Sequence, residues 1–126
     1  MRLAVAGFLF LRQSARWYVQ YYISLISLPV DMDQHFGSFV WDARKETANI
    51  RKHGIDFETA AHAFKDPARK IYADEKHGAS EERLFCIGQV EGKILTVRFT
   101  HRDGLIRIYG AGYWRNGRRY YEAGKG

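Results

Sequence analysis

The sequence predicts an α+β fold in which two N-terminal helices pack on an antiparallel β-meander that a short C-terminal helix completes. Three observations carry this expectation. Capped helical segments occupy residues 42–64, and strand alternation takes over between residues 69 and 110. The links between those strands are too short for parallel crossovers. The chain has 126 residues, the length of one domain, and 46% hydrophobic with 15% aromatic residues is enough to fill a core.

Phe39-Val40-Trp41 is a short apolar strand signal. Asp42 follows as a helix N-cap, because a carboxylate there can accept the free amide hydrogens of the first turn. Ala43 to His53 are good helix formers, and Gly54 ends them as the residue after the C-cap. Trp41, Ala48 and Ile50 are the expected buried side of this segment. Asp56 caps a second helix, and Glu58 suits the positive end of its dipole. Phe57, Ala60, Ala61 and Phe64 form an apolar stripe at helical spacing, which Asp66-Pro67 stops.

Arg69 to Ala73 is the first strand of the meander, and the polar stretch Asp74 to Glu82 is a loop. From Arg83 to Val90, Leu84, Cys86, Gly88 and Val90 alternate with Arg83, Phe85, Ile87 and Gln89. Glu91-Gly92 is a tight-turn pair. Lys93 to Thr100 puts Leu95, Val97 and Phe99 on one face, and Arg102-Asp103-Gly104 is the next turn. Leu105 to Gly110 opposes Ile106 and Ile108 to Arg107 and Tyr109. Tyr113 to Glu122 is a short helix weakened by Gly117.

Residues 1–31 read differently. Two apolar runs, Leu3 to Leu11 and Tyr21 to Val30, are interrupted by Arg12 and Arg16, and neither reaches the roughly 18 residues of a membrane span. Met32 reads as the natural start, with residues 1–31 as an N-terminal extension and residues 32–126 as the domain. The alternative is an apolar N-terminal helix that packs on the domain or on a partner.

The formal net charge is +6. It concentrates near the end: residues 98–126 hold seven basic residues (Arg98, Arg102, Arg107, Arg115, Arg118, Arg119, Lys125) against Asp103 and Glu122. Such one-sidedness suits a polyanion or an acidic partner protein, and equally a solvated basic face. Cys86 is the one cysteine, so no disulfide forms within the chain, and a reducing, cytoplasmic setting fits. Its place in an apolar alternation marks it as a core residue. His35, His53, His62, His77 and His101 do not pair at metal-ligand spacing, and no metal or cofactor is expected.

Phe39-Val40-Trp41-Asp42, Lys45, Asn49 and Arg51-Lys52-His53-Gly54-Ile55-Asp56-Phe57-Glu58-Thr59-Ala60 together resemble the pattern of the BrnT family. Asp66-Pro67, Glu82-Arg83, Ile87-Gly88 and Ile106-Arg107-Ile108 are similar to further family positions, so the resemblance runs from Phe39 to Glu122. It implies a RelE-like fold and the toxin of a type II toxin–antitoxin system, a ribonuclease that stops translation. It also implies a ribbon-helix-helix antitoxin similar to BrnA as partner, with operator DNA reached only through that antitoxin and no role for a membrane. Many family members follow the Ile-Arg-Ile strand with Ala-Arg. Here the chain reads Tyr109-Gly110-Ala111-Gly112-Tyr113-Trp114-Arg115-Asn116-Gly117-Arg118-Arg119. That departure leaves a second class open, a catalytically weak antitoxin-binding module acting mainly as co-repressor of its operon.

RNA cleavage without a metal uses the 2′-hydroxyl as nucleophile and needs cations for the phosphorane and groups for proton transfer. Lys45 and His53 on the first helix, and Arg83, Arg107 and Tyr109 on the strands, are the catalytic candidates. Lys45 would bind phosphate or move a proton, unless it is a solvated helix lysine. His53 would act as general acid, unless it serves only as a C-terminal cap. Arg83 and Arg107 would clamp phosphate through guanidinium forks, with Glu82 as a possible ion-pair partner of one of them. Tyr109 would donate a proton or stack on a base. Arg98, Tyr113, Trp114, Arg115, Arg118 and Arg119 are the RNA-binding candidates, with Tyr113 and Trp114 as a stacking surface. His101 is a weaker candidate, Lys52 reads as surface, and Asn49 as structural.

Overall fold

The computed structural model describes residues 32–76 and 81–123. The readings made for residues 1–31 and for His77 lie outside them. The chain runs β1 (Asp33–Phe36), β2 (Phe39–Asp42), α1 (Ala43–His53), α2 (Phe57–Ala61), a 3-10 turn (His62–Lys65), β3 (Lys70–Ala73), β4 (Arg83–Val90), β5 (Lys93–Arg102), β6 (Leu105–Gly112) and α3 (Arg115–Ala123). Six strands form one sheet in the order β1-β2-β6-β5-β4-β3.

The expected meander is present as β3 to β6, each antiparallel to the next. Two features differ from the sequence reading. Strand β1 pairs antiparallel with β2 through a turn at Gly37, whose φ is +60°. Asp33, Gln34 and His35 are polar and only Phe36 packs against the core, so the strand carries no alternation to announce it. Strand β2 then pairs parallel with β6, Phe39 opposite Ile106 and Val40 opposite Arg107. Short connections dictate antiparallel pairing only between consecutive strands. Here α1, α2 and three strands intervene, and the sheet is mixed.

Both tight turns take consecutive positive φ values, Glu91 (51°) with Gly92 (80°) and Asp103 (54°) with Gly104 (75°), as two-residue hairpins require. Asp42 caps α1 by accepting from the Arg44 amide at 2.8 Å, and Gly54 closes it in the left-handed region. Asp56 caps α2 through Thr59, and the Glu46 carboxylate accepts from the Phe57 amide at 2.9 Å. One helix thereby satisfies an orphan donor of the other.

The core lies between one sheet face and α1, α2 and the 3-10 turn. Phe57, Ala60, Ala61, Ala63, Cys86, Leu95, Val97, Phe99, Ile108 and Ala111 are buried in it with Trp41. Phe64 packs edge-on to Phe99 at 4.9 Å between ring centroids. Gly88 lets the 3-10 turn sit directly on β4, since a Cβ there would fall 2.3 Å from the Ala63 carbonyl oxygen. Burial pushes the Cys86 thiol up to about 12, which keeps it an inert core group.

The inward side of α1 is not the one expected. Ala48 and Ile50 are exposed, and Asn49 is the buried residue. Its amide nitrogen donates to the Ile55 and Ala111 carbonyls at 2.9 and 3.0 Å, and its oxygen accepts from the Ala111 amide at 3.0 Å. A polar side chain turns inward here because it finds backbone partners on both sides, which apolar residues in its place would leave unpaired.

Helix α3 lies on the opposite face of the sheet, where Gly117 brings it down onto Thr96 and Ile87. Asp66 anchors the end of the 3-10 turn to both β4 and α3. It accepts from the Gln89 amide and the Tyr121 hydroxyl, each at 2.7 Å, and from the Ala68 amide at 2.8 Å. That hydrogen bond to Asp66 holds the Tyr121 hydroxyl above its ordinary pKa.

Candidate nucleic-acid interface

The face that carries α3 is built in transverse rows set by strand register. Lys70, Ile87, Thr96 and Gly112 form one row, and α3 covers it at Ile87 and Thr96. Tyr72, Phe85, Arg98 and Gly110 form the next. Arg83, Thr100 and Arg107 form the third. One side of the sheet therefore goes from helix-covered, through aromatic, to cationic.

Tyr109 owes its position to a β-bulge. Phe99 pairs with Ile108 and Arg98 with Gly110, so Tyr109 is the extra residue of β6. The Lys45 ammonium lies 5.9 Å from its ring centroid and the Arg83 guanidinium 5.4 Å. The fold thus brings three of the catalytic candidates together from α1, β4 and β6. The Tyr109 hydroxyl is buried and has no hydrogen-bond partner among the described residues. Burial raises its pKa, against the opposing charge of Arg83, so the phenol stays protonated.

A second group adjoins this one. The Arg98 guanidinium lies 4.6 Å from the centroid of the Trp114 ring, and the His53 ring meets that indole edge-on at 5.4 Å. Two glycines make the arrangement possible. A Cβ on Gly112 would fall 2.7 Å from the indole, and a Cβ on Gly110 would come within 3.5 Å of the Arg98 side chain. Gly110-Ala111-Gly112 is here the bed on which Trp114 and Arg98 lie. Trp114 therefore presents a cation, and its ring is not the free stacking surface expected of it.

Arg107 is held differently from expectation. Its guanidinium donates to Asp33 in a bidentate pair, Nη1 to Oδ1 at 3.0 Å and Nη2 to Oδ2 at 2.5 Å. The carboxylate it meets is thus Asp33 of the unforeseen strand β1, and not Glu82. The hydrogen bond from Arg107 holds the Asp33 carboxyl below its ordinary pKa. Glu81 pairs with Arg102, with Nη2 to Oε1 at 2.5 Å.

A cleft of about 710 Å³ opens between α3 and the sheet, lined by Tyr72, Phe85, Arg98, Trp114, Asn116 and Tyr120 among others. Arg115 also lines it. Tyr113 and Arg118 line a separate cleft of about 700 Å³ with Lys93, whose ammonium is 5.4 Å from the Tyr113 ring. Arg118 pairs with Glu122 at 3.0 Å on the exposed side of α3, where Arg119 also lies. Lys52 and His101 are exposed. The RNA-binding candidates therefore spread over two clefts, with Trp114 and Arg115 lining both. The sequence reading missed Tyr72, Phe85 and Tyr120 as members of one cleft. The signal was present for Phe85, which alternates onto the side away from Leu84 and Cys86. No group of three His, Cys, Asp or Glu residues able to hold a metal occurs among the described residues. No helix among them is long and apolar enough to cross a membrane.

An α+β domain with one sheet face only partly covered by a helix, its remainder aromatic and cationic, is the class this geometry defines. Residues 41–117 match the model of the family described as ribonuclease toxin, BrnT, of type II toxin-antitoxin system. The chain belongs to that family. None of the curated proteins compared with the chain matches it.

Proposed function

We propose that this chain is a RelE-like, metal-independent endoribonuclease, neutralised in the cell by an acidic segment of a BrnA-like ribbon-helix-helix antitoxin. The observation that carries the reading is the convergence of Lys45 and Arg83 on the Tyr109 ring, with Arg98 held beside them on the Trp114 indole. The 2′-hydroxyl gives up its proton to solvent water as its oxygen attacks phosphorus in line, and the bond to the 5′-oxygen breaks, leaving a 2′,3′-cyclic phosphate and a 5′-hydroxyl. Lys45, Arg83 and Arg98 stabilise the charge of the phosphorane, work in which losing one donor costs about 10²–10³ in rate. His53, exposed at the end of α1, supplies the proton to the leaving oxygen. The protonated Tyr109 phenol serves as a hydrogen-bond donor and not as a base. Arg107, engaged with Asp33, contributes positive field and holds β1 in place. Arg115, Arg118, Arg119 and Tyr113 extend the surface that meets RNA or the antitoxin.

A second reading is a catalytically weak module that acts mainly as the antitoxin's co-repressor. The enclosed hydroxyl of Tyr109 and the engaged fork of Arg107 favour it. Inducible expression of the full chain in bacteria, with and without the neighbouring small gene, separates the two. Growth arrest with RNA ends carrying 2′,3′-cyclic phosphate, relieved by the neighbour, supports the nuclease. Absence of arrest, and of cleavage by purified protein, supports the module. Cleavage that persists in excess EDTA supports the metal-independent chemistry, and cleavage that stops and returns with a divalent cation overturns it.

A further inference from the structure

Phe85 poses a physical question. It stands on β4, an inner strand, in a row of the sheet beside α3, and it is half buried where its row neighbour Arg98 is exposed. The Tyr72 ring, its register partner on β3, meets the Tyr120 ring of α3 at 4.9 Å between centroids, tilted by 45°. Tyr120 is nevertheless 55% exposed. Arg98 bounds the same row on the other side, laid over Trp114. Asn116, in the first turn of α3, also lines the cleft, and Asp74, Glu75 and Lys76 stand at its β3 end. Aromatic rings that form the floor and one wall of an open cleft, with a flat guanidinium opposite, are the elements that hold an unpaired base. An amide at the rim can both donate to a base edge and accept from it. The cationic row of Arg83 and Arg107 is the adjacent row of the sheet.

We infer that this cleft is a subsite for one unpaired nucleobase of an RNA strand, with Phe85 as floor, Tyr72 and Tyr120 as wall and Arg98 as the opposite face. The inference rests on the ribonuclease reading for its place beside the scissile phosphate. A volume of about 710 Å³ accommodates a whole nucleotide with room for its neighbour's backbone. The base enters by stacking, so the site takes any base and prefers the larger surface of a purine. Its affinity is less dependent on salt than that of the cationic row, because stacking releases no counterions.

The test uses the full chain and two octanucleotides that cannot be cut because 2′-fluorine replaces the 2′-hydroxyl, one of adenines and one with abasic positions throughout. Fluorescence anisotropy reads the affinity of each. The adenine oligonucleotide is expected to bind about tenfold tighter than the abasic one. Phe85→Leu, which preserves an apolar floor, is expected to remove most of that difference while leaving the abasic affinity within about twofold. Tyr120→Ala, at an exposed position that tolerates truncation, is expected to remove part of it. Equal affinity of the wild-type chain for both oligonucleotides overturns the subsite, as does discrimination that survives both variants. Loss of RNA cleavage with base-dependent binding retained counts against the ribonuclease and leaves the subsite standing. Cleavage with no base dependence does the reverse.

Discussion

The Arg98 guanidinium rests on the Trp114 indole, 4.6 Å from the ring centroid, and the indole in turn occupies the space that a side chain on Gly112 would need. A glycine, an aromatic ring and a cation are stacked in order, which fixes an otherwise flexible arginine at a cost in rotamer entropy already met by the fold. Gly112→Ala is therefore expected to displace the ring and, with it, Arg98. RNA cleavage should fall at least tenfold, approaching the roughly 10²–10³ of a lost phosphorane donor where Arg98 is fully displaced. Trp114→Ala should match it, while the circular dichroism spectrum stays that of the wild type. Arg98→Lys should show the same loss, because an ammonium does not lie flat on an indole. Unchanged cleavage by Gly112→Ala would remove this stack from the mechanism.

Tyr109 separates a chemical role from a structural one with a single atom. Its buried hydroxyl has no partner among the described residues, so removing it costs no hydrogen bond within the fold. Tyr109→Phe should leave the protein equally stable or more stable by about 1 kcal/mol in urea unfolding. If the phenol donates to the reacting phosphate, cleavage should drop at least tenfold in the same variant. Because burial raises the phenol's pKa, wild-type activity should show no loss through this group as the pH rises through 9. A Tyr109→Phe protein as active as the wild type would assign the residue to packing alone.

Phosphate contacts leave a signature in salt. Arg83 and Arg98 are exposed on the open face. If each meets a phosphate of single-stranded RNA, replacing either by Ala should make the plot of log affinity against log salt shallower by about 0.7. Arg118→Ala, on the far side of α3 and paired with Glu122, should change that slope little. A slope lost at Arg118 and kept at Arg83 would move the phosphate track to α3.

The parts of this fold that local chemistry determines could be read in advance. Asp42, Gly54 and Asp56 cap where caps were expected, and the Glu91-Gly92 and Asp103-Gly104 turns join the strands that alternation defined. What escaped depends on distant partners. Strand β1 exists because β2 offers it a ladder, and its own residues are too polar to announce it. Asn49 turns inward because Ala111 waits there, far along the chain. Lys45, Arg83 and Tyr109 could each be named from residue type and the family resemblance. Their convergence depends on a bulge between Arg98 and Phe99 that no local pattern encodes. Phe85 and Tyr120 become one cleft only once α3 settles through Gly117.

Asp33 and Arg107 predict an acid-sensitive edge. The two side chains are 27% and 20% exposed, so their bidentate pair is only partly screened. Asp33→Asn should cost about 1 kcal/mol at neutral pH. The sign with pH follows from the lowered carboxyl pKa. Stability from such a group is present above its unfolded value of 3.8 and is lost as pH falls through the folded value. The difference between wild type and Asp33→Asn should therefore hold from neutral pH down to about 4 and shrink below it. Asp42, the register partner of Asp33, is lowered to about 2 by its hydrogen bond from Arg44, and its charge opposes that of Asp33, which slightly reduces the expected difference. A difference that persists unchanged at pH 2 would show that the pair is not what Asp33 contributes.

Asn49 predicts the largest loss of stability. Three hydrogen bonds tie it to Ile55 and Ala111, and the residue is only 7% exposed. Asn49→Ala removes all three and leaves two carbonyls and one amide buried beside a small cavity. At about 1 kcal/mol for each group so orphaned, the expected cost is about 3 kcal/mol, read as a lower midpoint with an unchanged slope in urea. Asn49→Asp tests the geometry further. A carboxylate keeps the acceptor for the Ala111 amide but loses both donors and sets a negative charge against two carbonyl oxygens. It should be at least as damaging as alanine at pH 7 and partly recover toward pH 4, as the carboxyl gains a proton it can donate. Ala111 follows Tyr109 and Gly110 on β6, so loosening it should also blunt cleavage in conditions where the variant remains folded. A variant that is destabilised yet cuts RNA at the wild-type rate would show that the active face does not depend on the α1 anchor.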